Sequence, residues 1–168
     1  MQLRPPAVHQ QGAEALDPRA VKIAVASDHA GFALKQQVAD HLRGLDHEIL
    51  DLGTDSEEAV DYPPFCAAAA RAAVGGEAEL AFVFGGSGNG EQMAANKVNG
   101  CRAALCHDEY TARLSRLHND ANICSMGSRV TGSGVALEIA EVFVSTSFEG
   151  GRHQGRLDKL TVIEDEER

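Results

Sequence analysis

The stretch ELAFVFGGSGNGEQMAANKV, Glu79 to Val98, decides the fold. Its first half is a short apolar run bounded by turn residues, the pattern of a buried strand. Gly85, Gly86, Gly88 and Gly90 follow within six residues, and a helical pattern begins at once. Strand, tight turn and helix in succession form the half-unit of a parallel sheet.

Read outward, the same cadence repeats on both sides. VKIAVAS (Val21–Ser27) is a strand rich in β-branched residues, and Gly31–Leu45 carries apolar residues at Phe32, Leu34, Val38 and Leu42, one face of a helix. HEILDLG reads as a second strand. Pro63–Gly76 opens on prolines and closes on glycines, start and stop signals of a helix. After the glycine loop come a fourth strand (CRAALC), a helix (Asp108–Asn119), a fifth strand (ANICSMG), a helix (Gly132–Thr146) and a last helix (Arg152–Glu166) with no strand after it. This alternation predicts an α/β fold with a five-stranded parallel sheet and helices on both faces. The last helix, lacking a sheet partner, is expected to pack on a neighbouring subunit.

Residues 1–20 hold three prolines and no apolar period and are expected to form a disordered leader. A single domain is expected over 21–164, with 165–168 as a frayed acidic tail. The 168 residues suffice for one proper core, and no apolar run approaches the roughly 20 residues of a membrane span. A formal charge of −10 argues against a nucleic-acid surface, and no apolar signal region is seen, so a cytoplasmic location is expected. Cys66, Cys101, Cys106 and Cys124 form no Cys-x-x-Cys pair and read as reduced, buried thiols rather than zinc ligands.

In parallel sheets, ligands bind beyond the carboxyl ends of the strands. Asp28 and His29 follow the first strand, the glycine loop the third, His107 and Asp108 the fourth, and Gly127–Arg129 the fifth. The loop is not a Walker sequence, since no Lys-Ser or Lys-Thr follows, and it comes too late for a dinucleotide fingerprint. Its backbone N–H groups at a helix start suit an anion, either a phosphate or a transient oxyanion; a ligand-free tight turn is the plainer reading. Glu91 is either a partner of the helix dipole or a base that takes a proton from carbon α to a carbonyl. Asp28 is either a helix cap or a site residue. His118, beside Asn119 at a helix end, is either a dipole partner or an acid–base group on a sugar oxygen. Arg129 stands after the fifth strand, while Arg152 and Arg156 lie i, i+4 on one expected helix face, where both reach one anion; a solvated basic face is the alternative.

SDHAGFALK, DLGT, DYP, GGSGNGEQMAANK, RAALC, LSRLHNDANICSMGSR and FEGGRHQGRLDKL, in this order over Val21 to Glu164, together resemble the type B ribose-5-phosphate isomerase family, which includes the galactose-6-phosphate isomerase subunits. The resemblance implies a Rossmann-like three-layer α/β/α sandwich, a homodimer or homotetramer with active sites shared between subunits, and aldose–ketose isomerisation of a sugar phosphate through an enediolate, with no metal and no cofactor. It implies that Asp28 and His29 contact the ends of the substrate, that Tyr62 lines the pocket, and that Gly86, Ser87, Gly88 and Gly90 form an anion hole with the Ser87 hydroxyl assisting proton movement. His118 would open the sugar ring with Asn119 beside it, and Arg129, Arg152 and Arg156 would hold the phosphate. Many members carry a cysteine base just before the first loop glycine; here that position is Gly85. A branch typified by actinobacterial enzymes instead uses a glutamate after the last loop glycine, and Glu91 matches it. Ribose 5-phosphate is the expected substrate, with a six-carbon sugar phosphate, or a non-catalytic sugar-phosphate binder, as alternatives.

Overall fold

The apolar run ahead of the glycine loop becomes β3 (Leu80–Gly85), whose six residues are all buried at the centre of a five-stranded sheet. The structure is a computed structural model that describes residues 19–167. Residues 1–18 of the expected leader, and Arg168 of the expected tail, lie outside the described residues. Around β3 stand β1 (Lys22–Ser27), β2 (Glu48–Asp51), β4 (Ala103–Leu105) and β5 (Ile123–Gly127), in the order β2-β1-β3-β5-β4. Every pairing is parallel, with Ser27 opposite Phe84 and Gly85 opposite Gly127. Strands buried on both faces need near-continuous apolar sequence, which explains runs such as IAVA in β1.

The helices are α1 (Phe32–Gly44), α2 (Tyr62–Val74), α3 (Asn89–Ala95), α4 (Glu109–Asn119), α5 (Ser133–Ser145) and α6 (Gln154–Glu166). The two faces of the sheet are packed differently. Against α1, α4 and α5 the core is built from large side chains, among them Phe82, Phe84 and Phe143, with the Phe82 and Phe143 rings edge to face at 5.4 Å. Against α2 and α3 it is mostly alanine, including Ala69, Ala70, Ala81 and Ala95. Small side chains let those two helices lie close to the sheet, and α3 is only seven residues long.

Chain direction across the sheet reverses between β1 and β3: β2 lies on one side of β1, and all later strands lie on the other. Loops leaving adjacent strand ends at such a point diverge and leave a crevice at their carboxyl ends. Asp28 and the glycine loop flank it. Among the described residues no helix is long and apolar enough to cross a membrane.

The last helix differs from the sequence expectation. Gly150 and Gly151 both take left-handed φ values, 68° and 54°, and the chain then makes a 3-10 turn over Gly151–His153 before α6 begins at Gln154. Arg152 is therefore not in the same α-helix as Arg156, and helical i, i+4 spacing does not relate them. At the other end α6 runs on through Asp165 and Glu166, residues expected to fray. Only Leu157 of α6 is buried, while Leu160, Val162 and Ile163 are about half exposed, at 49%, 54% and 56%.

Candidate active site

At the carboxyl end of the sheet, β3 delivers the chain into the glycine loop, and α3 turns back from Gly88, which takes φ 81°. Glu91 sits in the first turn of α3, yet its side chain folds inward and is 4% exposed. A Cβ placed on Gly85 would land inside the Glu91 carboxyl group. Only a glycine at 85 leaves that space, so the missing thiol and the inward carboxylate have one steric cause. Burial pushes the Glu91 pKa up; the backbone N–H groups of Glu91 and Gly88 oppose this, and the Asp28 carboxylate adds to it. Cys66 is fully buried, and burial together with Glu91 and Asp28 pushes its pKa to about 12, so it stays a thiol. Cys101 is likewise pushed to about 12 by burial, and all four cysteines are buried and free of disulfides.

The loop carbonyls are occupied by protein. Gly85 O accepts from Ser128 N at 2.8 Å, Gly86 O from Arg129 N at 3.0 Å, and Gly88 O from Ser125 Oγ at 2.7 Å. In a trans peptide the C=O and N–H groups point oppositely, so the N–H groups of Gly86 and Ser87 face away from the β5 loop. The Ser87 side chain is exposed, and its Oγ accepts from Asn89 N at 3.3 Å. Arg129 lays its guanidinium along Gly86, where a Cβ would stand 3.2 Å from Nη1. The Tyr62 ring covers Gly90, where a Cβ would lie 2.6 Å from Cζ. Tyr62 is held there because α2 starts at it, Pro63 and Pro64 filling positions where a helix leaves N–H groups unpaired.

Asp28 is 8% exposed and accepts from Gly31 N at 2.9 Å through Oδ1. This is a turn ahead of α1 rather than a helix cap, since the N-cap position is Gly31. His29 Nδ1 lies 3.2 Å from both the N–H and the carbonyl oxygen of Val60, which hold the ring in place. Asp108 is a true cap, accepting from Thr111 N at 2.7 Å, and that bond holds its carboxyl below the usual range.

The remaining predicted residues lie elsewhere. α4 and α5 run back from the carboxyl ends of the strands, so their C-termini stand at the amino end of the sheet. There Arg102, just before β4, donates from Nε to Asn119 O at 3.1 Å, and Glu149 N donates to Leu117 O at 3.0 Å. His118 stacks on His153 with ring centroids 4.2 Å apart, and Glu149 Oε2 lies 3.7 Å and 3.6 Å from their Nε2 atoms. Arg152 donates from Nε to His153 Nε2 at 3.2 Å, and Arg156 Nη1 lies 3.4 Å from His153 Nδ1. The two arginines thus meet across one buried imidazole, although not along one helix. Burial, then His118 and Arg152, hold the His153 imidazole below its ordinary pKa. Asn119 is exposed and lines a cavity of about 800 Å³ between α6 and the start of β4, with Arg102, Leu157 and Glu164.

The candidate residues therefore fall into two groups at opposite ends of the sheet. One holds Asp28, His29, Tyr62, Gly86, Ser87, Gly88, Gly90, Glu91 and Arg129; the other holds His118, Asn119, Arg152 and Arg156. His153 and Glu149 were missed by sequence reasoning, though both lie within the quoted FEGGRHQGRLDKL motif. His118, Glu149 and His153 offer three ligand atoms within 4.8 Å of one another. Arg152, however, donates to the very His153 nitrogen a metal would need, and two guanidinium groups beside it oppose a cation.

Comparison with known proteins agrees with this architecture. A family model described as Ribose/Galactose Isomerase matches residues 23–160. Ribose-5-phosphate isomerase B of Mycolicibacterium paratuberculosis is 46% identical over 146 residues, covering 86% of this chain and 92% of that protein. The solved ribose-5-phosphate isomerase B of Clostridium thermocellum superposes with a TM-score of 0.86 at 45% identity, covering 88% of this chain and 99% of the other. That of Mycoplasma genitalium, solved with bound ribulose-5-phosphate, gives 0.81 at 38% identity over 86% and 97%. A match that runs from β1 into α6, with the same sheet and nearly the full length of each relative, leaves one conclusion: the chain belongs to the ribose/galactose isomerase family.

Proposed function

We propose that this isomerase interconverts ribose 5-phosphate and ribulose 5-phosphate, with Glu91 as the base that moves the proton between C2 and C1. The observation that carries the reading is the buried Glu91 carboxylate in the space that Gly85 leaves open. A base must lie next to the carbon it deprotonates and must be ionised, and a carboxylate with a raised pKa is a stronger base than an ordinary one. The N–H groups of Gly86 and Ser87 stabilise the enediolate oxygen that forms, an effect for which one lost donor typically costs about 2.7–4 kcal/mol. Ser87 assists proton movement between the oxygens, Asp28 and His29 bind the sugar, and Tyr62 closes the wall over Gly90.

Ring opening falls to the other half-site, which also supplies two of the three phosphate arginines. His118 moves the ring-oxygen proton with Asn119 beside it, and Arg152 and Arg156 take the phosphate with Arg129. His118, Asn119, Arg152 and Arg156 stand at the far end of the sheet from Glu91, so a complete site needs two copies of the chain, in a homodimer or homotetramer. The exposed Leu160, Val162 and Ile163 on α6 favour such packing.

The test is a panel assay of the purified chain with the phosphates of ribose, allose and galactose, following C2 proton exchange in heavy water. Turnover of ribose 5-phosphate above the six-carbon substrates is expected. Preference for a six-carbon phosphate would overturn the substrate, and no exchange with any of them would leave a sugar-phosphate binder.

A further inference from the structure

Lys35 has no solvent exposure at all, although it carries a charge. It shares the buried stripe of α1 with Leu34, Val38, Ala39 and Leu42, where an apolar side chain is expected. Its ammonium pairs with Asp51 Oδ1 at 2.5 Å and donates to Thr54 O at 2.6 Å. Only the lysine is fully buried, the Asp51 side chain being 31% exposed; an ion pair that water reaches on one side adds little stability, so stability alone does not explain a lysine on this stripe.

Its partners lead toward the crevice. Gly53 and Thr54 bracket the last residue of β1: Ser27 N donates to Gly53 O at 2.7 Å, and Thr54 N donates to Ser27 O at 2.9 Å. Asp28 comes next in the chain. On its other side Gly31 N donates to Asp28 Oδ1 at 2.9 Å, and Lys35 N donates to Gly31 O at 2.9 Å. Lys35 thus reaches the Asp28 turn from its side chain at Thr54, while its backbone N–H makes the first helical bond of α1 to Gly31 O.

We propose that Lys35 is a positioning residue for the isomerisation, fixing the Asp28 carboxylate beside Glu91 by holding the Gly53–Thr54 turn against the end of β1. The inference rests on the reaction proposed above and adds a residue to its machinery. It joins the SDHAGFALK and DLGT stretches of this chain: one supplies the lysine, the other the aspartate and the carbonyl that receive it.

The test is a double-mutant cycle with Asp28→Asn, read by C2 proton exchange on ribose 5-phosphate so that slow variants stay measurable. Lys35→Met should lower kcat/KM about tenfold in the otherwise natural chain and less than about twofold in the Asp28→Asn background, because residues acting as one unit are not additive. Equal losses in both backgrounds, or an undiminished Lys35→Met enzyme, would overturn the proposal. If Lys35→Met does not fold, Lys35→Met with Asp51→Leu removes both charges, and the cycle is run on that pair with the same expected and overturning outcomes. An inactive natural chain would sink the proposed reaction and this inference together, whereas an active chain with additive losses sinks the inference alone.

Discussion

The two ends of the sheet are built on opposite terms. At the carboxyl end, close packing surrounds the carboxylate: Glu91 is 4% exposed, Gly127 and Gly31 admit no Cβ because backbone stands against them, and the Tyr62 ring rests on Gly90, with Ser87 and Arg129 left at the open rim. At the amino end, Arg152, Arg156 and Asn119 are exposed and only His153 among them is buried. A base has to be held to a fraction of an ångström and kept dry, whereas a cation that collects a phosphate works from an open surface. On the proposed function, one half of the fold is a rigid reaction vessel and the other a docking surface offered to a second copy.

The largest expected effect separates chemistry from stability within the rigid half. Glu91→Gln should lower kcat by about two to four orders of magnitude, the worth of a positioned base. It should also raise the melting temperature at pH 7. The Glu91 pKa is raised in the fold, so its ionised form costs stability as pH rises above the ordinary value of 4.5, and the variant's advantage should vanish below that pH. Near-natural turnover in this variant would remove Glu91 from the mechanism. For the active enzyme the same shift places the acid limb of the kcat/KM profile, which reports the free enzyme, above 4.5.

Mixing tests whether the two ends serve one site. Glu91→Gln and His118→Asn chains, each nearly inactive alone, should regain about a quarter of natural activity after subunit exchange if dimers form at random. Failure to recover, with exchange verified by mass, would mean that each chain completes its own site. Gly85→Ala comes next. Its Cβ has to displace the Glu91 carboxyl, so kcat should fall about a hundredfold while phosphate affinity holds. Unchanged kcat would show that the carboxylate works from another place.

On the open half, Arg152→Ala and Arg156→Ala should each raise KM about tenfold with kcat much less affected, and a fall in kcat alone would argue against phosphate holding. The smallest effect is on stability. The His153 pKa is lowered in the fold, so the unfolded chain binds more protons just below 6.5, and stability should fall as pH drops through that value. His153→Asn should flatten this slope in pH-dependent melts, and an identical slope would assign it to other groups.

The alternation of strands and helices was plain in the sequence because prolines and glycines mark the joints and the strands are continuous apolar runs. The order β2-β1-β3-β5-β4 was not, since no periodicity records which strands become neighbours. The loop residues at the crevice could be read from their place after strands. That His118, Arg152 and Arg156 lie at the other end follows only from helix direction in space. The 3-10 turn was hidden because GRH continues a helical pattern, and only the backbone angles at Gly150 and Gly151 interrupt it. Lys35 left a faint signal, standing in register with Val38 and Leu42 on the apolar stripe; a lone lysine there reads as a side chain that reaches back to solvent. Gly85 was legible as an absent thiol, but its steric relation to Glu91 needed coordinates.

That relation has a consequence for how such a site can change over generations. Residues 85 and 91 compete for one volume, so their substitutions are not exchangeable in order. A side chain acquired at 85 while Glu91 remains meets the carboxyl, and the lineage inherits a damaged pocket. Shortening residue 91 first empties the volume, and a nucleophilic or basic group can then be installed from 85. On the proposed function, moving the base from 91 to 85 therefore has to begin at 91, and the enzyme passes through a form whose base is lost or displaced.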